Sequence, residues 1–172
     1  GDLEYVHSSL TESTVYGYHV IASNSGTQTS TDDAFTGTVA CPRPDLTATI
    51  SASNLSPIVG DSVTLTGTVK NIGSGATAQT FTNQFQKRAS GSTGAWTTIT
   101  ASNSSLVGIG IAGEKSVSAY SFTAPAVTTV EEYHLCADVT GTITEGDETN
   151  NCSTPITVTP VGTTGSTTYT YV

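Results

Sequence analysis

The sequence predicts an all-β protein of antiparallel β-sandwiches in tandem, and three observations carry that prediction. Apolar residues alternate with polar ones at period two in short runs separated by Gly, Asn, Asp, Ser or Pro. Apolar spacings of three and four, which would mark helices, are scarce. Among the 172 residues stand 34 threonines and 21 serines, a composition that suits thin two-sheet cores better than a large enzyme interior.

The runs follow in order. Leu46, Ala48 and Ile50 fall on one face of the first long run, with Thr47 and Thr49 on the other. Val63, Leu65 and Val69 share a face of the next, and Phe81 and Phe85 of the one after. Val117 and Ala119 form a later pair, and Tyr133–Asp138 and Ile156–Val158 complete the set. Side chains alternate faces along a strand, so each run offers one apolar face to a core and one polar face to water.

Two breaks divide the chain. Pro42 and Pro44 make residues 41–44 a stiff joint that interrupts any ladder. The joint separates residues 1–40 from a longer unit at 45–159. Residues 160–172 are a flexible Gly/Thr/Ser spacer followed by a lone strand, in which Tyr169 and Tyr171 alternate with threonine before Val172. No methionine occurs, so Gly1 is expected to be a processed end or an internal point of a longer chain.

The net charge is −9, with only five basic residues: Arg43, Lys70, Lys87, Arg88 and Lys115. That balance argues against nucleic acid or an anionic membrane as partner. No apolar run approaches the ~18 residues of a membrane-spanning helix.

Particular stretches carry a family resemblance. Pro44–Thr47 opens the long unit, and Val59–Leu65 and Gly67–Gly73 flank and fill its second strand. Cys136-Ala-Asp-Val-Thr-Gly-Thr-Ile-Thr-Glu-Gly-Asp-Glu-Thr-Asn-Asn-Cys152 stands near its end. On these, residues 45–159 resemble the cell-adhesion-related domain CARDB, which implies an immunoglobulin-like sandwich. Val107–Gly113 departs from the family in being longer than the short turn expected there. Leu10, Thr14, Tyr16, Val20 and Ala22, with Glu12 in place of the usual proline, resemble the back half of a fibronectin type III domain. That resemblance implies that Tyr16 is a corner tyrosine whose hydroxyl ties a loop to backbone. It also implies a hairpin at Asn24–Gly26.

Three strands of a seven-strand sandwich leave an apolar face and unpaired edges open. Either the chain is a slice of a longer modular protein, or the missing strands come from another chain. The strand at 167–172 fits both, as the start of a following module or as a strand given to a neighbour.

Cys136 and Cys152 bracket 15 residues, which in a secreted sandwich is most simply a disulfide, a metal pair being the alternative. Cys41 is left over, to pair outside these residues, to link chains or to stay free. Asp138, Glu145, Asp147, Glu148 and Asn150, with Asn151, offer oxygens of the kind calcium takes. An acidic hairpin that closes its own turns is the expected reading, with no EF-hand spacing and no cofactor required.

Catalysis is not expected. His7, His19 and His134 are scattered, no nucleophile signature occurs, and Glu131 and Glu132 face opposite sides of a strand. Trp96 with Tyr120 and the Tyr169/Tyr171 pair would make a sugar platform, though packing is the expected use. Asn54, Asn103 and Asn151 head Asn-x-Ser triplets that would accept a glycan.

The expectation is a non-enzymatic extracellular protein of a surface fibre or filament, partnered by its own copies or by neighbouring domains, with glycan as a further partner. The other reading is an accessory spacer or carbohydrate-binding module of a secreted hydrolase or adhesin.

Overall fold

The structure is a computed structural model that describes residues 6–11, 13–18, 21–24, 27–30, 34–38 and 40–162. The chain folds as two units, Gly1–Pro42 and Arg43–Val172, so the division falls inside the proline joint.

Among the described residues the first unit holds four short strands, one more than the sequence suggests. Strands β1 (Val15–Tyr18) and β4 (Ala34–Gly37) pair antiparallel, and β2 (Ile21–Asn24) pairs with β3 (Thr27–Ser30). The Thr38 hydroxyl ties the first ladder shut by donating to the Thr11 carbonyl at 2.6 Å and accepting the Thr14 N–H at 3.0 Å.

The second unit is a two-sheet sandwich. In one sheet β6 (Ser62–Asn71) is central. Strand β5 (Leu46–Ala52) runs along one edge of β6, from Leu46 opposite Asn71 to Ala52 opposite Leu65. Two short strands share its other edge: β10 (Glu114–Ser116) opposite Thr68–Lys70 and β11 (Tyr120–Thr123) opposite Ser62–Leu65. The other sheet runs β13 (Ile156–Val158), β12 (Glu131–Cys136), β7 (Phe81–Ala89), β8 (Thr97–Thr98), and β9 (Ser104–Leu106) also pairs with β7. A three-residue 3-10 turn at Thr100–Ser102 is the only helical element among the described residues.

The period-two pattern explains what meets between the sheets. Leu65 and Val69 of β6 pack in one cluster with Phe81 and Phe85 of β7, Tyr133 and Leu135 of β12, and Leu46 and Val158, and Val63 is buried as well. The pairing of Val117 with Ala119 is corrected. Val117 is buried, but it lies in the break between β10 and β11, and Ala119 is exposed. Val107–Gly113 forms a loop that sends Ile109 into the core.

Position 67 of β6 falls on the inward face where its neighbours are valine and leucine. It is glycine because a Cβ there would lie 2.5 Å from the Thr49 carbonyl oxygen and 2.6 Å from Leu135 Cδ2. The Leu135 side chain from the facing sheet occupies the room a side chain would need. Gly67→Val is therefore expected to lower unfolding stability by about 2–4 kcal/mol, since the close atom is backbone and cannot turn aside. Urea unfolding of the variant tests this, and a loss under 0.5 kcal/mol on the same scale would show that the sheets separate freely there.

The registers also place the ends of this unit. The chain enters at Pro44, beside Gly73 and Gly146, at the Asn71 end of β6. It leaves at Val161, which bonds to Pro57 and Val59 at the Ser62 end. Arrival and departure lie at opposite poles.

Candidate functional site

The pole at which the chain enters holds buried polar groups, Asn71 and Glu145 among them. Asn71, fully buried, donates through Nδ2 to the carbonyls of Gly75 (2.7 Å) and Ile109 (3.2 Å) and accepts the N–H groups of Asp45 (3.1 Å) and Gly73 (3.0 Å) at Oδ1. One side chain thus closes three loops. Nothing in the alternation singles it out, because an inward Asn looks like a lapse in the pattern.

The acidic loop leaves the same pole. Asp138 starts it with a left-handed backbone (φ 39°), a conformation Asp tolerates. Its carboxylate accepts N–H bonds from Thr142 (3.0 Å) and Ile143 (2.6 Å). Asp147 accepts the Thr149 N–H at 2.8 Å, and Glu148 accepts the Glu145 N–H at 2.9 Å. Glu145, 4% exposed, reaches across to the first strand of the sandwich: Leu46 N–H donates to its Oε2, and Asn151 Nδ2 donates to its Oε1 at 2.8 Å. Burial pushes its carboxyl up to about 7, against the pull of those two donors. Asn150 Nδ2 donates to Asp45 Oδ1 at 2.8 Å.

The residues read as calcium ligands are therefore brought to one pole but committed to hydrogen bonds there. Oδ1 of Asn150 and of Asn151 are buried without a protein partner. Among the described residues the three His, Cys, Asp or Glu side chains whose ligand atoms lie within 4.8 Å of one another are His134, Cys136 and Cys152. Two of those are joined in a disulfide, so the cysteines are not a metal pair. No cofactor is evidenced.

Beside the disulfide lies the outer face of the second sheet. Trp96 stacks on His134 at 3.6 Å, and the Arg88 guanidinium lies 4.3 Å from the indole centroid. His134, 6% exposed, shares a hydrogen bond with Gln86 Oε1 at 3.0 Å, and burial pulls its imidazole down to about 4, with the Arg88 charge adding to the effect. Tyr120 instead stacks with Phe122 in the first sheet. The sugar platform of Trp96 with Tyr120 is not assembled, because the two rings belong to different sheets. Tyr169, Tyr171, Val172 and His19 lie outside the described residues.

Glu131 and Glu132 face opposite sides of β12, each with its own cation. Lys87 Nζ donates to Glu131 Oε1 at 2.7 Å and Arg88 Nε to Glu132 Oε2 at 2.9 Å. His7 bonds to the Tyr18 hydroxyl (2.9 Å) in the first unit. Tyr16 accepts the Thr11 N–H at 2.8 Å on its hydroxyl, a tie from ring to loop backbone. Cys41 is free and exposed.

Of the glycan acceptors, Asn54 and Asn103 are exposed. Asn54 Oδ1 accepts the Ser56 N–H, and Asn103 Oδ1 accepts from Gln84 Nε2. Asn151 has its amide nitrogen engaged by Glu145.

A cleft of about 430 Å³ opens between β11 and β8, lined by Tyr120, Phe122, Tyr133, Lys87, Glu131 and Ile99 among others. The rings of Phe122 and Tyr133 stack at 5.0 Å, and the Tyr133 hydroxyl donates to Glu131 Oε2 at 2.5 Å.

Fold and site define the class: an immunoglobulin-like antiparallel sandwich whose charged groups hold loops and strands together. A family model, CARDB, matches residues 43–155, and the chain belongs to that family. The family is one of non-enzymatic, adhesion-type domains of extracellular proteins. Among solved structures, the CARDB domain of the PF1109 protein from Pyrococcus furiosus, in complex with di-metal ions, is similar at 21% identity and a TM-score of 0.52. The match covers 69% of this chain and 90% of that one. A β-glucosidase, EmGH1 from Erythrobacter marinus, matches at 12% identity and a TM-score of 0.46, over 69% of this chain and 16% of that one. No curated protein sequence matches the chain. Among the described residues no helix is long and apolar enough to cross a membrane.

Proposed function

We propose that the chain is a non-catalytic segment of an extracellular surface fibre, joined to neighbouring copies by β-strand complementation, with residues 167–172 as the donated strand. The observation that carries this reading is the placing of arrival and departure at opposite poles of the sandwich, the arrangement a serial structure needs. Family membership supports the adhesive character. The uncharged alternation of the 167–172 segment suits a strand whose backbone supplies the contact and whose side chains set the register.

Removing residues 163–172 is expected to abolish assembly while leaving the sandwich folded. The cut falls after Gly162 because Val161 bonds to Pro57 and Val59 and belongs to the fold. Sedimentation and electron microscopy of the truncated chain against the full one decide it, and fibres of unchanged length would sink the reading.

A further inference from the structure

We propose that the cleft between β11 and β8 is the acceptor for this strand: residues 167–172 of a second copy add antiparallel to the free edge of β11 and seat Tyr169 and Tyr171 on its aromatic wall. The inference rests on the complementation reading and names its receiving site.

Three observations favour that occupant. First, the two sheets are both open here. Among the described residues β11 pairs only with β6, and β8 only with β7, so two unpaired edges flank one apolar opening. An unpaired edge over an open core is the geometry strand addition completes. Second, the chemistry matches tyrosine. Tyr120, Phe122 and Tyr133 form a run of stacked rings, which takes another ring in the same way. The mouth carries Lys87 neutralised by Glu131, with Thr98 and Thr129 hydroxyls beside it, so a phenol hydroxyl finds partners and an uncharged segment meets no net charge. The donor segment, Thr-Thr-Tyr-Thr-Tyr-Val, contains no charged residue.

Third, the chain leaves the fold at this rim. Gly162 lies against Val127, in the loop whose flanks Pro125 and Thr129 line the cleft. That point is next to the Thr123 end of β11, because Ala124 bonds to Gly60 and Asp61 beside the Val161 bridge. The tail of a neighbouring copy entering at the Thr123 end would run towards Tyr120, antiparallel to β11. Residues 163–166 extend to roughly 13–14 Å, room for the tail to cross into a neighbour.

The test uses full-length chains with Cys41→Ser, so that the free thiol cannot interfere. One preparation carries S121C, on the exposed side of β11, and a second carries T170C, between the two tyrosines. They are mixed before assembly, oxidised mildly and run without reductant. The expected result is a covalent product of twice the 17.6 kDa chain mass that needs both variants. S121C with T168C provides a second pair if the register differs by one step of two residues.

No mixed product from either pair, with assembly still lost on removing residues 163–172, would overturn the acceptor site and leave the fibre reading standing. No product and undisturbed assembly would overturn both. A chain carrying S121C and T170C together that closes only on itself would overturn the exchange, since the tail would then seal its own cleft.

Discussion

Reducing the Cys136–Cys152 disulfide is expected to lower the unfolding free energy of the sandwich by about 3 kcal/mol, the chain-entropy value for a closed loop of this length. The bond caps a loop that backbone hydrogen bonds already close. The Ala137 N–H donates to Asn151 and the Ser153 N–H to Leu135 on either side of it, at 2.9 and 2.8 Å. Those ladder bonds survive reduction, so the folded form keeps its shape and the loss acts through the freer unfolded chain. Urea unfolding of the C136A/C152A pair, with circular dichroism of the folded state, checks both halves. A native spectrum with a loss near 3 kcal/mol is expected; a loss under 1 kcal/mol would show that the bridge hardly restricts the unfolded chain.

Stability between pH 7 and pH 4.5 is expected to be nearly flat, and Glu145→Gln to make it steep. Glu145 is lifted from an ordinary 4.5 to about 7, so the folded state holds a proton that the unfolded chain has lost. Its contribution is complete below pH 4.5 and fades as pH rises through 7. His134 is lowered from 6.5 to about 4, so in that window the unfolded chain holds the extra proton. Its contribution is complete above pH 6.5 and fades as pH falls through 4. Each displacement corresponds to about 3 kcal/mol, and over their common window the two have opposite slopes. With glutamine at 145 the imidazole acts unopposed, and acidification from pH 6.5 to 4 is expected to remove up to about 3 kcal/mol. Thermal melts of both proteins across this range decide it. Parallel pH profiles would mean that Glu145 ionises normally where it sits.

Strands β5, β6, β7, β12 and β13 are legible in the sequence because each has one face in the core and one in water, which writes period two directly into the residues. Strands β8 and β10 carry no such signal. All five of their residues are exposed edge positions, and nothing apolar is required of them. Val117 and Ala119 mislead for a related reason: two short strands follow one another along β6, and the alternation of each is broken at the junction.

The candidate site divides differently. The spacing of Cys136 and Cys152 shows their pairing, since both partners lie in one hairpin. The acidic residues are visible as a cluster, but their use is not. Glu145 is engaged by the Leu46 N–H, 99 positions away in sequence, and no local pattern announces a donor at that distance. Trp96 is similarly opaque, because only the fold sets an indole over His134 instead of facing it to solvent.

The opposite-pole arrangement has a consequence for how the domain answers a pull. Tension applied at Pro44 and Val161 runs parallel to the strands. The seven paired positions of β5 against β6 must then slide together, where a hairpin held by adjacent ends would open one rung at a time. Simultaneous rupture of many backbone bonds is slow compared with sequential rupture. A chain threaded through such domains would therefore stretch little until a threshold force is reached.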